Sequence, residues 1–200
     1  LDAQAHTVVE AAYRPNHSHQ YSITAYGRKD LDWQTLQCEL SATGGRGERE
    51  MLRQSTLLTY RTTHYVLSGA LSFDLFNGCR MDYNATWQHH RSKATLHTFT
   101  TSDLEQHANL HLRLWPSRMF LKLHISHTHN NHLGTEQKDF YFIGGELKFK
   151  LSKSIELQLN GDNLSNTRSL ITHSLDELEE FHTIYHLRPL SIALTAHINL

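Results

Sequence analysis

Little in this chain marks it at once as belonging to a class. Two cysteines, Cys38 and Cys79, are too few for a disulfide framework or a cysteine-built zinc site, so both are expected to stand unpaired. Three prolines and ten glycines in 200 residues argue against a disordered chain. No run of about eighteen apolar residues occurs, which excludes an ordinary transmembrane helix. Neither charge is in surplus: 19 Lys and Arg stand against 20 Asp and Glu. Without a basic excess to neutralise phosphates, nucleic acid is not an expected partner. The opening "LDAQAHTVVE" has no Met and no charged-then-apolar leader, so the chain is expected to be a processed product or a piece of a longer polypeptide.

What is abundant is histidine, 17 of them, and alternation. In "LSIALTAHINL", Leu190, Ile192, Leu194, Ala196, Ile198 and Leu200 share one parity, with Ser191, Thr195, His197 and Asn199 on the other. Such a period of two is the mark of a strand with one apolar face. It recurs over Cys79 to Trp87, Leu104 to Leu114, Met119 to Ile125, Tyr141 to Leu151 and Ile155 to Leu159. Helical spacing is suggested only around "SLDELEE", in an expected loop. The first fifty residues are less regular: "SHQYSITAYG" alternates acceptably, "DWQTLQCEL" poorly, and "GGRGERE" reads as an outer loop.

Strand length separates the possible architectures. Most of these strands read as about ten to fourteen residues, whereas soluble strands average about five or six and a tilted bilayer crossing needs about nine to eleven. The connections alternate in size: "LFNGC", "LWPSRM" and "KLSKSI" are tight, while "HRSKATLHTFTTSD", "NNHLGTEQKD" and "SNTRSLITHSLDELEE" are long and polar. Trp87, Trp115 and Tyr141 near strand ends suit interfacial girdles. The expected fold is all-β over residues 1–200: an antiparallel transmembrane β-barrel portion of about ten long strands starting near His6, with short periplasmic turns and long extracellular loops. The apolar parity would face lipid and the polar parity a wet lumen. Two rivals stand beside it: a soluble β-sheet binding module with the apolar parity inward, and a complete small outer-membrane barrel with hydrolase (protease or phospholipase) activity.

The last strands add a resemblance. "SIELQLNGDNLSNTRS" carries Asn163, Leu164, Ser165 and Asn166 at the end of a strand, and "YHLRPLSIALTAHINL" opens a final strand with Arg188 and Pro189. This combination resembles the closing strands of TonB-dependent outer-membrane receptors, where an Asn-Leu-Phe-Asn-like element, a long loop and an Arg-Pro pair occur in that order. "FYFIGGELKFKLSKS" is similar to the family's next strand back, and the likeness fades toward the N-terminus. Ser165 departs from the usual Phe, and Leu200 stands where the family has a terminal aromatic residue. Read without the family, Asn163 and Asn166 suit Asx-type turns, and Pro189, lacking a donor, suits a strand start or an edge.

The resemblance implies a barrel of about twenty-two strands around an N-terminal plug, of which this chain would supply about the last ten. The plug and the N-terminal strands would lie outside it. The implied function is nutrient uptake at the cell outer membrane of a Gram-negative bacterium, non-enzymatic and without a cofactor. The implied partners are the lipid bilayer, the remainder of the barrel and the plug, the TonB complex through that plug, and a surface substrate-binding lipoprotein. Substrate contacts are expected in the loops Arg91 to Asp103, Asn130 to Lys138 and Ser165 to Glu180.

Parity also sorts the histidines. In "LKLHISHTHNNH", His124 shares a face with Lys122 and Ser126, whereas His127 lies on the other face near the outer end, followed by His129 and His132. Four ligands cannot converge from one regular strand. His127 and His129 remain a candidate metal pair, because i and i+2 side chains share a face. His107, His111 and His197 are expected on the lumen side, with His89 and His90 at an outer end. Asp103, Glu105 and His107 are the only grouping that suggests a hydrolase, and they read more simply as a solvated rim without a nucleophile motif.

Overall fold

The computed structural model describes residues 18–31, 35–53, 56–94, 98–115, 118–131, 138–175 and 180–198. They form eleven strands: β1 His19–Leu31, β2 Leu36–Arg53, β3 Thr56–Phe76, β4 Cys79–Lys93, β5 Thr98–Trp115, β6 Met119–Asn130, β7 Asp139–Lys150, β8 Ile155–Asp162, β9 Ser169–Leu175, β10 Glu180–His186 and β11 Ser191–Ile198. Nine make one antiparallel sheet in the order β1-β2-β3-β4-β5-β6-β7-β8-β11, a meander of neighbours in sequence. The other two, β9 and β10, form a separate hairpin within the connection from β8 to β11. Among the described residues β1 and β11 do not pair, so the sheet is open along both.

At the tight-turn end, Asn77 and Gly78 join β3 to β4, with Gly78 at φ 90°, a left-handed conformation that glycine adopts without a Cβ clash. Register shifts at Asp74/Phe76 and Arg113/Trp115 also sit at this end. Bulges concentrate at sheet rims because they bend a strand and end its pairing.

Register fixes the two faces. One row runs Leu40, Gly69, Ala85 and Gln106, and the next Ala42, Leu67, Trp87 and Leu104. Farther along, Leu110, Leu123 and Gly145 are opposite one another, as are Leu147, Leu159 and Leu194. These residues form one apolar face. The other carries Ser72, Asp82, Asn109 and His124 in one row, and Arg80, His111, Lys122, Glu146 and Asn160 in the next. The parity expected from sequence therefore holds across the sheet.

Nothing among the described residues covers the apolar face. Ile23 is 79% exposed, Leu40 69%, Ile192 64% and Leu194 70%. Among the described residues the buried hydrophobic ones are Tyr60, Cys79 and Phe140.

Several expectations need correction. "GGRGERE" is not a loop: Gly44 to Glu50 lie inside β2 and pair with β3, and Gly44 to Glu48 pair with β1 as well. The glycines fit because cross-strand rings lie over them; a Cβ on Gly45 would come within 2.2 Å of the His64 ring, and one on Gly44 within 3.3 Å of Tyr65. The segment "HRSKATLHTFTTSD" is mostly strand, since β4 runs to Lys93 and β5 begins at Thr98. "SNTRSLITHSLDELEE" holds β9, and Glu180 opens β10, so the described part contains no helix. The strand expected near His6 lies outside the described residues.

Candidate functional site

Three places on the sheet gather polar side chains. The first is where β8 leaves the sheet. Asn163 and Asn166 adopt φ of 50° and 52°, a left-handed conformation that Asn tolerates better than most residues. Asn166 N donates to Asn163 O at 2.8 Å, closing a turn. The Asn163 amide then donates to the carbonyls of Thr167 and Arg188, each at 2.8 Å, while its Oδ1 accepts from Thr167 N at 3.0 Å. One side chain thus ties the two feet of the β9–β10 hairpin together. Leu187 N donates to Arg168 O at 2.9 Å beside it, and Leu190 N reaches Asn166 Oδ1 at 3.5 Å, just after Pro189.

Leu164 folds back over Gly161, where a Cβ would come within 2.9 Å of it, and its N donates to Ile143 O at 2.7 Å. Of the residues singled out from sequence, Asn163, Leu164 and Asn166 lie in one turn, Arg188 meets it through its backbone carbonyl, and Pro189 stands in the chain between Arg188 and Leu190. Ser165 and Thr167 belong to it too: both hydroxyls donate to Tyr141 O at 2.6 Å.

The second place is the long-loop end of β6 and β7. His127 Nε2 and His129 Nδ1 approach the same carboxylate oxygen, Asp139 Oδ1, at 2.9 and 2.7 Å, and the His127 ring stacks on Tyr141 at 4.5 Å. Sequence reading found the pair but missed Asp139. The hairpin register supplies it: once β6 and β7 pair around their loop, Asp139 is opposite His129. Beyond the apolar stretch, these hydrogen bonds, from His127 and then His129, hold the Asp139 carboxyl below the usual carboxylate range. Among the described residues no group of three or more His, Cys, Asp or Glu side chains is arranged to hold a metal ion. His132 lies outside them.

The other histidines are dispersed among separate partners. His124 lies over Gly144, where a Cβ would come within 2.1 Å of its ring. His107 shares a hydrogen bond with Ser126 at 2.9 Å, His197 one with Gln158 at 3.3 Å, and His111 lies 3.7 Å from Asp82. His89 stacks between Tyr65 and Trp87 on the apolar side, whereas His90 pairs with His64 across the polar face. Asp103, Glu105 and His107 do share the polar face of β5. Among the described residues, however, no carboxylate bonds to His107, so the Ser126–His107 contact lacks the acid of a triad.

The third place is a cavity of about 650 Å³ at the tight-turn end of the polar face, lined by Arg80, His111, Lys122, Glu146 and Lys148 among others. Arg80 donates to Ser72 and to Asp82, and Lys148 pairs with Glu146 at 2.7 Å. These alternating charges lie on adjacent strands rather than adjacent in sequence, which is why no linear motif announces them. Of the loops singled out for substrate contacts, Arg91 to Asp103 is largely strand, Asn130 ends β6, and Ser169–Leu175 is β9. Residues 95–97, 132–137 and 176–179 lie outside the described set.

A scan against protein-family models finds no match to this chain, and a search of the curated proteins finds no significant relative.

Proposed function

We propose that this chain is the C-terminal wall of a transmembrane β-barrel of the TonB-dependent receptor type, a non-enzymatic importer in the outer membrane of a Gram-negative bacterium. One observation carries the reading: an uncovered apolar face without an Asp, Glu, Lys or Arg between its aromatic borders on β2 to β8. On β7 this stretch runs from Tyr141 to Phe149 and on β3 from Tyr65 to Phe76. At a strand tilt of about 40°, those lengths correspond to roughly 20 to 28 Å of depth, matching the ~25 Å apolar band of outer-membrane barrels. Trp115 marks the tight-turn border; Trp87 and Tyr141 mark the other. The turn built by Asn163, Leu164 and Asn166, which Arg188 meets through its backbone carbonyl, supports the family reading, because these residues carry much of the resemblance.

Bare edges in hydrocarbon leave backbone groups unsatisfied at a cost of several kcal/mol each, so β1 and β11 require the remainder of the barrel as partner. The polar face would then line the lumen and meet the plug, through which the TonB complex acts. The outer ends of β2 to β7 and the β9–β10 hairpin would meet substrate and a surface lipoprotein. The test is to express the full polypeptide that contains this chain, fractionate membranes and compare gel migration with and without boiling. Recovery in the outer membrane with heat-modifiable migration is expected. Recovery in the aqueous phase without detergent would replace this reading with a soluble sheet whose apolar face is covered by another protein.

A further inference from the structure

The cavity at the tight-turn end of the polar face has a charge pattern that its own carboxylates do not balance. The pairing of β4 to β7 sets out two rows there: Arg80, His111, Lys122 and Glu146 in one, and Arg113, Phe120 and Lys148 in the next. His111 therefore has Arg80 and Lys122 opposite it on the strands to either side, and Arg113 two residues along its own strand. The turn at Asn77 and Gly78 closes one end. Gly78 O accepts from Arg113 N at 2.7 Å, and a Cβ on Gly78 would come within 3.2 Å of Arg113 Cβ. The space so bounded is about 650 Å³, and Phe76 and Phe120 line it beside the cations.

The neighbouring carboxylates are already committed. Glu146, opposite Lys122, is bonded to Lys148 at 2.7 Å. Asp82 accepts from Arg80 Nε at 3.2 Å and lies 3.7 Å from His111. Asp74, opposite Arg80, accepts from the Thr35 hydroxyl at 2.6 Å. Lys122 and Arg113 have no carboxylate partner among the described residues; the Arg113 guanidinium lies over the Phe120 ring, 5.9 Å from its centre. Arg80, Arg113 and Lys122 are all exposed, so a molecule can reach them from outside the sheet. Like charges on neighbouring strands repel, and an anion held between them turns that cost into attraction.

We infer that this cavity is an oxyanion seat, in which Lys122 and Arg113 grip a carboxylate or phosphate group, Arg80 stands behind them as a third cation, and Phe76 and Phe120 take the apolar part of the molecule that carries it. Lys122 and Arg113 lie on adjacent strands about 4.8 Å apart and in successive rows of one face, about 7 Å along the strand. Their long side chains can therefore meet on one group. The guanidinium adds paired donors in one plane, which match two oxygens of a carboxylate or phosphate. The oxyanion has two sources: a free solute or, on the membrane reading above, an Asp or Glu of the plug that the polar face meets.

The full polypeptide that contains this chain, purified in a non-ionic detergent, is titrated calorimetrically with inorganic pyrophosphate and with citrate at low salt. For a free solute, saturable binding at one site per chain is expected, weakening as salt is raised. Lys122→Met and Arg113→Met together, which keep most of each aliphatic stem, weaken it by at least about tenfold, and Lys122→Met alone by at least about threefold. Arg28→Met removes a cation of the same face that is committed to Asp30 and Glu39, and changes the affinity by less than about twofold. For a plug carboxylate, neither anion binds, and a carbodiimide joins Lys122 Nζ to an Asp or Glu outside residues 1–200, as read by mass spectrometry of the digest.

Binding that survives the double variant, binding that Arg28→Met weakens as much, or the absence of both solute binding and that cross-link would each overturn the seat. Such a failure leaves the membrane reading standing, because the seat is built from side chains of this sheet alone. Recovery of the polypeptide in the aqueous phase overturns the membrane reading, and the same titration without detergent still decides the seat.

Discussion

The two faces of the sheet are built on different principles. The apolar face is generic: Leu110, Leu123, Leu147 and Leu159 meet similar neighbours across the strands. The polar face depends on named partners. His124 lies over Gly144, His64 over Gly45, Arg80 reaches Ser72 and Asp82, and Lys148 pairs with Glu146. A generic face tolerates exchange within a residue class and fails when charge is introduced. A face of particular pairs responds to the loss of one partner.

The largest expected effect tests the generic face. On the proposed reading, Leu123→Arg costs about 2–4 kcal/mol of folding into a bilayer, because a guanidinium then faces hydrocarbon. Its neighbour Lys122→Gln, on the polar face, changes folding by less than about 0.5 kcal/mol. Urea titrations in phosphatidylcholine vesicles measure both, and equal costs would erase the distinction between the faces. Next comes Asn163→Ala, which removes three hydrogen bonds from one side chain and puts a residue without a side-chain amide in a left-handed conformation. A loss of about 2 kcal/mol is expected, with faster proteolysis in the segment between residues 167 and 188. Unchanged cleavage would show that Asn163 does not fasten the hairpin.

A smaller contrast comes from two glycines on adjacent strands. At Gly45, on the polar face, a Cβ would meet the His64 ring at 2.2 Å and the Tyr21 carbonyl at 2.7 Å; at Gly27, on the apolar face, it would meet nothing within 4 Å. Gly45→Ala is therefore expected to cost about 1–3 kcal/mol, since the backbone carbonyl cannot swing aside as the ring can. Gly27→Ala is expected to be neutral or slightly stabilising. The same titrations decide it.

The smallest effect is at the outer end, where His127 and His129 hold the Asp139 carboxyl low. A depressed carboxylate contributes stability that is present above its unfolded pKa of about 3.9 and lost as pH falls through the lower folded value. The wild type should therefore lose part of its Tm on acidification below about pH 4, and Asp139→Asn should lose less over the same interval. Parallel Tm profiles for the two proteins would show that the contact does not contribute.

From Cys79 onward strand parity was legible, because a sheet face depends only on whether a residue is odd or even within its strand. Connections were harder. The glycines of "GGRGERE" signal a loop when read alone, and they sit in a strand because His64 and Tyr65 on β3 occupy the space their side chains would need. The segment from Arg91 to Asp103 reads as polar and loop-like, yet a strand whose outer end leaves the apolar band needs no apolar alternation. Asp139 was invisible as a partner of His127 and His129 because only the pairing of β6 with β7 puts it opposite His129 and within reach of His127.

By itself the sequence determined the all-β class, the antiparallel meander, the division into two faces and the pair of asparagines at the end of β8. Each follows from short-range rules: a period of two, a turn residue, a missing donor. Only the tertiary structure decided which rows form, and through them the hairpin fastening, the His127–His129–Asp139 contact and the charged cavity lined by Arg80, His111, Lys122 and Glu146. Those features join residues from different strands, and register, which is set by the pairing of whole strands, carries no mark in any one of them.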